Sequence, residues 1–261
     1  MKEKLKLFVL IIITCVLFLG VGLAVYTIIK SQNDEINHPI ATFEIQDYGT
    51  IKMELYPEYA PNTVTNFIAL INAGYYNNKV ISGKDDMCLY MARVADEEEK
   101  ITPKISLIDS SIEADSDNDY EYGINGEFIA NGFEKNTLRH EKGSISLNRS
   151  DYSMYGLYEE GYNSGNAQFS VMMNDESNLN GLYCVFGKIT EGIEVLENIY
   201  ENAETVADEE SNGGIKYFSN KPVVTSATVE TNGVDYGMPE THETFDIQEY
   251  VNQLYSSYYS Y

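Results

Sequence analysis

Cysteine, histidine and basic residues are all scarce in this 261-residue sequence, which has three cysteines and three histidines. Because there is no CxxC pair and no His/Cys spacing suited to zinc, the sequence offers no metal site. The 17 Lys and Arg residues stand against 41 Asp and Glu, a net charge of −24. A surface this acidic repels nucleic acid, and no Gly-rich loop is present to hold a phosphate. The sequence therefore predicts no metal, no cofactor and no nucleic-acid partner.

The cysteines are also too few to predict a set of disulfide bonds. Cys15 lies in an apolar run near the N-terminus, which leaves Cys88 and Cys184 for the rest of the chain. Both sit in apolar, strand-like stretches, so we expect buried free thiols. A single disulfide between them is the alternative, because sequence does not give the distance that a disulfide requires.

One long apolar run is present, at residues 5–29, and only Lys6 interrupts it. Its length is about that needed to cross a bilayer as a helix, and further lysines precede it. We predict a cytoplasmic stub and transmembrane anchor at residues 1–30, then a polar linker at 31–39. The rest of the chain is then extracytoplasmic, and the protein is located at the cell membrane. A cleaved signal peptide is the alternative, although its apolar region should be shorter.

After the linker, apolar and polar residues alternate in short stretches bounded by Gly, Asn and Ser. This period predicts strands at 41–46, 50–55, 143–147, 167–173, 183–189 and 222–230. Two stretches instead have helical period, 62–73 and 193–200, and Asn62 can cap the first. The pattern indicates a mainly β domain at residues 40–230.

Two segments of this part of the chain have little apolar content. Residues 95–121 contain the acidic runs ADEEEK and EADSDNDY, and clustered charge predicts an exposed loop. Residues 231–261 form a tail rich in Tyr and Glu, in which a short amphipathic helix at 245–255 is one expectation.

Several motifs occur in a fixed order along the domain. Residues 60–67 read APNTVTNF and residues 74–76 read GYY; later, residues 143–147 read GSISL, 163–170 read NSGNAQFS and 179–189 read LNGLYCVFGKI. This series resembles the cyclophilin family of peptidyl-prolyl isomerases, whose pattern includes A-P-x-T-V-x-N-F, G-Y-Y, S-Q-F-F and F-G-x-V. The resemblance implies a closed eight-stranded antiparallel β-barrel capped by two helices, here the predicted 62–73 and 193–200.

The resemblance also implies a site. It assigns catalytic positions to Gln168 and Tyr183, and the peptide-binding positions are Leu89, Met91, Asn148, Arg149, Phe169, Ser170 and Leu179. The family's catalytic Arg motif is missing, because an ungapped alignment from Gly74 puts Gly83 at the Arg position. Lys84, one residue away, is the candidate substitute, although Lys is a point charge and not a planar fork.

Rotating an X–Pro bond costs ~20 kcal/mol because amide resonance must be broken. Holding the proline, fixing its neighbours and placing a cation near its nitrogen lower that barrier without a cofactor. The resemblance therefore predicts a peptidyl-prolyl isomerase-like protein that assists the folding of exported or surface proteins by binding their X–Pro segments. Its activity should be weak because the Arg motif is missing. The alternative is a catalytically inactive peptide-binding or scaffold module at the membrane.

Overall fold

The computed structural model describes residues 37–92, 102–206 and 214–258. The predicted anchor and most of the linker lie outside these ranges, as does the start of the predicted acidic loop. From His38 onward the chain forms one unit. Within the described ranges, no helix combines the length and the apolar character that crossing a membrane requires.

Short strands dominate this unit. The strands are β1 Ile40–Ile45, β2 Gly49–Leu55, β3 Gly83–Lys84, β4 Cys88–Met91, β5 Tyr122–Gly123, β6 Ser144–Leu147, β7 Phe169–Met172, β8 Cys184–Glu191, β9 Lys216–Tyr217, β10 Val224–Glu230 and β11 His242–Glu243. The α-helices are α1 Pro61–Asn72, α2 Tyr158–Tyr162, α3 Ile193–Asn202 and α4 Ile247–Tyr258. The six predicted strands and both predicted capping helices are confirmed. Several further strands are two residues long, too short for a periodic pattern to predict them.

Nine strands form one antiparallel sheet in the order β10-β1-β2-β8-β6-β7-β4-β3-β9. The mainly β fold is confirmed, but the closed eight-stranded barrel is wrong: the sheet has an open order and curls into a half-barrel. β3 and β9, at one end of that order, have two residues each and offer too few backbone groups for a closing ladder. An isolated bridge between Val80 and Val223 joins segments that adjoin the two ends.

The core lies inside the curl of the sheet and is centred on aromatic rings. Five rings lie with centroids 5.1 to 6.3 Å apart: Phe43, Phe67, Tyr76, Phe169 and Phe186. Alternation along the strands and the apolar face of α1 bring them together. The Tyr76 hydroxyl donates to the Ala167 carbonyl, 3.0 Å away. That bond fixes the backbone directly before β7, the strand that supplies much of the site.

A distant carboxylate caps α1. The side chain of Glu127 accepts from the backbone N–H groups of Asn62 at 2.9 Å and Thr63 at 2.8 Å. These N–H groups have no partner inside the helix, and the helix dipole favours a negative charge there. Burial raises the pKa of Glu127, against these hydrogen bonds. The predicted Asn62 cap is therefore wrong, because the helix starts at Pro61 and a tertiary contact supplies its cap.

The C-terminal segment 231–258 returns to the same unit. β11 pairs with β5, and the Asn62 side chain makes a reciprocal pair with the Glu240 backbone at 2.9 and 2.7 Å. The ring of Phe245 lies 6.1 Å from that of Tyr152. The amphipathic helix expected at 245–255 is present as α4. Asn62 thus holds the tail and does not cap its own helix.

Candidate functional site

A cavity of about 340 Å³ opens on the outer face of the sheet, over β4, β6 and β7. Six of the ten predicted site residues line it: Asn148, Arg149, Gln168, Ser170, Leu179 and Tyr183. The other lining residues are Met87, Cys88, Tyr90, His140, Ser146, Met172 and Ile215. Together they give this cavity, which we call the first cavity, a polar wall and a sulfur-rich apolar wall.

The register of three strands builds the floor of the first cavity. Ser170 of β7 lies between Tyr90 of β4 and Ser146 of β6. Side chains alternate between the two faces of a strand, so directly paired residues share a face. These three residues therefore point outward together.

The same register corrects part of the predicted site. Leu89 and Met91 alternate with Tyr90 on β4, and Phe169 alternates with Ser170 on β7, so all three face the core, where they are fully buried. The ungapped alignment that assigned Leu89 and Met91 is one residue out of register on this strand. A slip of one residue exchanges the two faces completely.

Gln168 and Asn148 present amide groups to the first cavity. The Gln168 side chain has no hydrogen-bond partner among the described residues, while its carbonyl accepts from the Asn148 N–H at 2.9 Å. The Asn148 side-chain oxygen accepts from the Ser170 hydroxyl at 2.7 Å. A carboxamide both donates and accepts, so Gln168 can bind both polar groups of a peptide bond.

Arg149 lies at the rim of the first cavity, next to three aromatic rings. The guanidinium carbon is 4.3 Å from the ring centroid of Tyr183, 4.9 Å from that of Tyr162 and 5.6 Å from that of Phe128. Its Nε donates to the Leu182 carbonyl at 3.2 Å and its Nη1 to the Ser150 carbonyl at 3.0 Å. Since a guanidinium has five N–H groups, three remain without a partner among the described residues.

His140 forms one wall of the first cavity and is buried. Asn180 Oδ1 accepts from its backbone N–H at 2.8 Å and lies 3.2 Å from Nδ1, while Nε2 lies 3.0 Å from the Ser146 hydroxyl. Burial lowers the pKa of His140, so the neutral form dominates near pH 7. A neutral ring then donates from Nδ1 to Asn180 and accepts the Ser146 proton at Nε2.

The apolar wall contains a thiol that is not ionised. Cys88 is buried, and this burial raises the pKa of its thiol to about 12. Cys184 is buried too, and both are free, as predicted. The alternative of a disulfide between them is therefore wrong. Neither thiol is a nucleophile at neutral pH, because only the thiolate reacts.

Lys84 is not brought to the first cavity. Its ammonium donates to the Tyr200 carbonyl and lies 4.9 Å from the centroid of that ring. The carbonyl and the ring of Tyr200 both belong to α3, and neither Lys84 nor Tyr200 lines the first cavity. The structure thus gives the predicted substitute cation a different location, and Arg149 is the cation that lines the first cavity.

Sequence reasoning missed Tyr90, His140 and Ser146. The signal for Tyr90 was present, because Cys88 and Tyr90 alternate with the apolar Leu89 and Met91. His140 had no such signal, since it lies in a loop and reaches Ser146 only through the fold.

With this geometry established, comparisons with known proteins identify the family. The model of the family described as cyclophilin type peptidyl-prolyl cis-trans isomerase/CLD matches residues 40–220. The chain belongs to this family. The match ends before β10, so the returning tail lies outside the matched residues.

Relatives agree with this assignment. Peptidyl-prolyl cis-trans isomerase B of Bacillus subtilis is 28% identical over 163 residues, which are 60% of this chain and 87% of that protein. A probable peptidyl-prolyl cis-trans isomerase of Brucella suis is 27% identical over 188 residues, 70% of this chain and 79% of that protein.

A solved structure shows the same fold. The cyclophilin-type isomerase of Cryptosporidium parvum, crystallised in the presence of the dipeptide Ala-Pro, superposes with a TM-score of 0.54 at 18% identity. The match covers 74% of this chain and 99% of that one. At this identity the likeness establishes the fold of the cyclophilin-like domain and not its activity.

Proposed function

We propose that this cyclophilin is a peptidyl-prolyl isomerase that holds X–Pro segments of polypeptides in the first cavity. The observation that supports this most directly is that the Gln168 carboxamide and three Arg149 N–H groups, all without a partner among the described residues, belong to side chains that line one cavity. An Ala-Pro dipeptide accompanies the Cryptosporidium relative in its crystal structure. Neither a covalent nucleophile nor a cofactor is needed for this reaction.

Different lining residues contribute in different ways to lowering the barrier to rotation about the X–Pro bond. Met172 and Ile215 provide apolar contact for the proline ring, and Gln168 hydrogen-bonds the adjoining backbone. Arg149 supplies positive charge, which favours the twisted state, in which the lone pair is localised on the proline nitrogen. In this proposal Arg149, which lies two residues after the end of β6, takes the role of the Arg that the family carries before β4.

We expect the activity to be weak. Two carbonyls and three rings already hold the Arg149 guanidinium, so its freedom to follow the rotating amide is limited. The same observation favours a second candidate function, a peptide-binding module that holds X–Pro segments without accelerating their isomerisation.

An exchange experiment separates the two functions. The full-length chain, purified in detergent, is added to an Ala-X-Pro-Ala peptide, and NMR measures the cis–trans exchange rate. We expect a weak acceleration that falls about tenfold in Arg149→Gln, as loss of about 1.4 kcal/mol of transition-state stabilisation would give. Lys84→Gln is the matched control and should leave the rate within twofold. Peptide binding without acceleration in the unmodified chain would establish the binding module instead.

We further propose that the protein acts outside the cytoplasm, on exported or surface proteins, while anchored by residues 5–29. The support is the apolar character of that run and its positive flank. Tags placed at either end test the arrangement, because external protease should remove only the C-terminal tag from intact cells. Removal of neither tag, or release of the protein from membranes by alkaline carbonate, would contradict the anchor.

A further inference from the structure

The C-terminal tail, residues 231–258, packs against the part of the domain that lies next to Arg149. Its strand β11 pairs with β5, and the Thr244 N–H donates to the Glu121 carbonyl at 2.9 Å. The match to the family model ends at residue 220, so the tail is not part of the matched domain. Two contacts connect the tail to the surroundings of Arg149.

The first contact is at β5, where a glycine lets two other segments approach. A Cβ atom at Gly123 would lie 2.9 Å from the Asn163 carbonyl oxygen and 3.1 Å from Cε1 of His242. A side chain at this position would therefore collide with the residue that follows α2 and would crowd the tail. Gly123 thus allows the tail and the end of α2 to pack together on one short strand.

The second contact is between two aromatic rings. The Phe245 ring of the tail lies 6.1 Å from the ring of Tyr152, within the range of favourable aromatic pairs. The Tyr152 carbonyl accepts from the N–H groups of Tyr155 and Leu157, at 2.9 and 3.3 Å. Tyr152 is therefore part of the turn that leads into α2, and Phe245 joins the tail to that turn.

The segment 150–162, which contains this turn and α2, holds Arg149 directly. The Ser150 carbonyl accepts from Nη1 of Arg149 at 3.0 Å, and the Tyr162 ring centroid lies 4.9 Å from the guanidinium carbon. The two ends of the segment are close together, because a Cβ at Gly161 would lie 3.0 Å from the Ser150 carbonyl oxygen. The tail therefore contacts the segment that supplies one of the two carbonyls and one of the three rings around the guanidinium.

Carboxylates of both the tail and α2 line a second cavity, of about 670 Å³. Glu159 and Glu160 come from α2, and Glu243, Asp246 and Glu249 come from the tail. No Lys or Arg is among the described residues that line this cavity. Because like charges repel, these carboxylates oppose docking of the tail. The tail therefore depends on its hydrogen bonds and on the aromatic contact to stay docked.

We propose that the tail positions Arg149 for the isomerisation of X–Pro bonds, with Phe245 as the positioning residue. This inference rests on the proposed function, because it assumes that Arg149 stabilises the twisted state. By holding the segment 150–162, the tail keeps the guanidinium at the rim of the first cavity. An interaction made mainly in the transition state changes the rate and not the affinity. The tail should therefore affect the isomerisation rate and leave peptide binding unchanged.

Replacement of Phe245 in the full-length chain tests the proposal. Phe245 is only half-buried, so Phe245→Ala should leave the domain folded, which circular dichroism checks. We expect the acceleration of cis–trans exchange in the Ala-X-Pro-Ala peptide to fall about fivefold, while the Kd of that peptide, measured by fluorescence anisotropy, stays within about twofold. Phe245→Tyr keeps the ring and should keep the rate. Tyr255→Ala is the matched control and should also keep the rate, because it removes a ring of the tail that is 62% exposed.

A double variant separates positioning from a merely structural role. If the tail acts through Arg149, Phe245→Ala should slow exchange little further once Arg149→Gln is present, because effects that share one group are not additive. Equal losses in both backgrounds would overturn the inference and leave the proposed function standing. An unchanged rate in Phe245→Ala would do the same.

The side-chain Nε–H resonance of Arg149 gives a result that does not depend on turnover. Three ring centroids lie within 5.6 Å of the guanidinium carbon, so the proton shift reports where the guanidinium lies. It should move in Phe245→Ala and stay in place in Tyr255→Ala. A resonance that stays in place in Phe245→Ala overturns the inference whatever the rate. If the unmodified chain does not accelerate exchange, the proposed function fails, and a resonance that moves would still support control of the guanidinium by the tail.

Discussion

Replacing Phe169 tests whether this residue belongs to the core or to the peptide-binding site. The family resemblance makes Phe169 a peptide-binding residue, whereas the structure places its ring in the core with no exposed surface. We choose Phe169→Leu because it retains most of the apolar bulk and should leave the protein folded. The prediction is a loss of stability with little change in peptide binding.

The magnitude follows from the ring contacts. The Phe169 ring lies 5.2 Å from Phe67, 5.9 Å from Tyr76, 6.1 Å from Phe43 and 6.3 Å from Phe186, all nearly edge to face. Each such pair contributes about 0.5–1.5 kcal/mol beyond buried area, and four pairs that share one ring are not additive. We expect a loss of about 3 kcal/mol. For a domain of about 150–250 residues this lowers Tm by roughly 6–12 °C.

Thermal unfolding followed by circular dichroism gives the stability, and anisotropy with a labelled Ala-Pro peptide gives the affinity. Ser170→Ala is the matched control, one residue along β7 on the opposite face. It loses one hydrogen bond to Asn148, worth about 1 kcal/mol, but should weaken peptide binding several-fold. The assignment of Phe169 to the core would be refuted by a Tm within about 2 °C of the unmodified protein together with a tenfold loss of affinity.

Three further predictions concern other parts of the structure. In the unfolded chain His140 titrates near 6.5, and its pKa is lower when folded, so the unfolded state binds more protons below that pH. Stability should therefore fall as pH drops through 6.5, and His140→Gln should flatten this dependence of Tm on pH; an unchanged slope contradicts it. Gly187→Ala would put a Cβ 2.3 Å from the Glu54 carbonyl oxygen. Urea denaturation should therefore show that the free energy of unfolding falls by about 3 kcal/mol. A fall of less than about 1 kcal/mol would disprove the close contact. Asn62→Ala removes both bonds to Glu240, so limited proteolysis within 231–258 should accelerate; equal rates would mean that other contacts hold the tail.

Local sequence patterns predicted six strands and the two capping helices, but they did not predict whether the sheet closes into a barrel. The hairpin β1–β2, the strands β6, β7 and β8, and both capping helices follow from periods of two and 3.6, which depend on neighbouring residues alone. Whether the sheet closes depends on strands far apart in the chain. Two-residue strands such as β3 and β9 have no detectable period, so the open order was not predictable from pattern.

The site was predictable only in part, for a related reason. Gln168, Ser170, Asn148, Arg149, Leu179 and Tyr183 belong to motifs whose spacing is fixed, and the structure brings all of them to one cavity. β4 follows a stretch where the family motif is lost, so the alignment placed Leu89 and Met91 at the site although they alternate with Tyr90. Pairing with β7 shows that Tyr90 faces outward and Leu89 inward.

The sequence by itself determined the family, the positions of six strands and the two capping helices, and six of the residues that line the first cavity, because these follow from short-range periodicity or fixed motif spacing. The tertiary structure alone decided that Lys84 lies away from that cavity, where the tail returns and which carboxylate caps α1. Those outcomes depend on contacts between residues many positions apart, such as Glu127 with Thr63 and Asn62 with Glu240. Long-range contacts leave no periodic trace along the chain, since either partner would look like an ordinary polar surface residue without the fold.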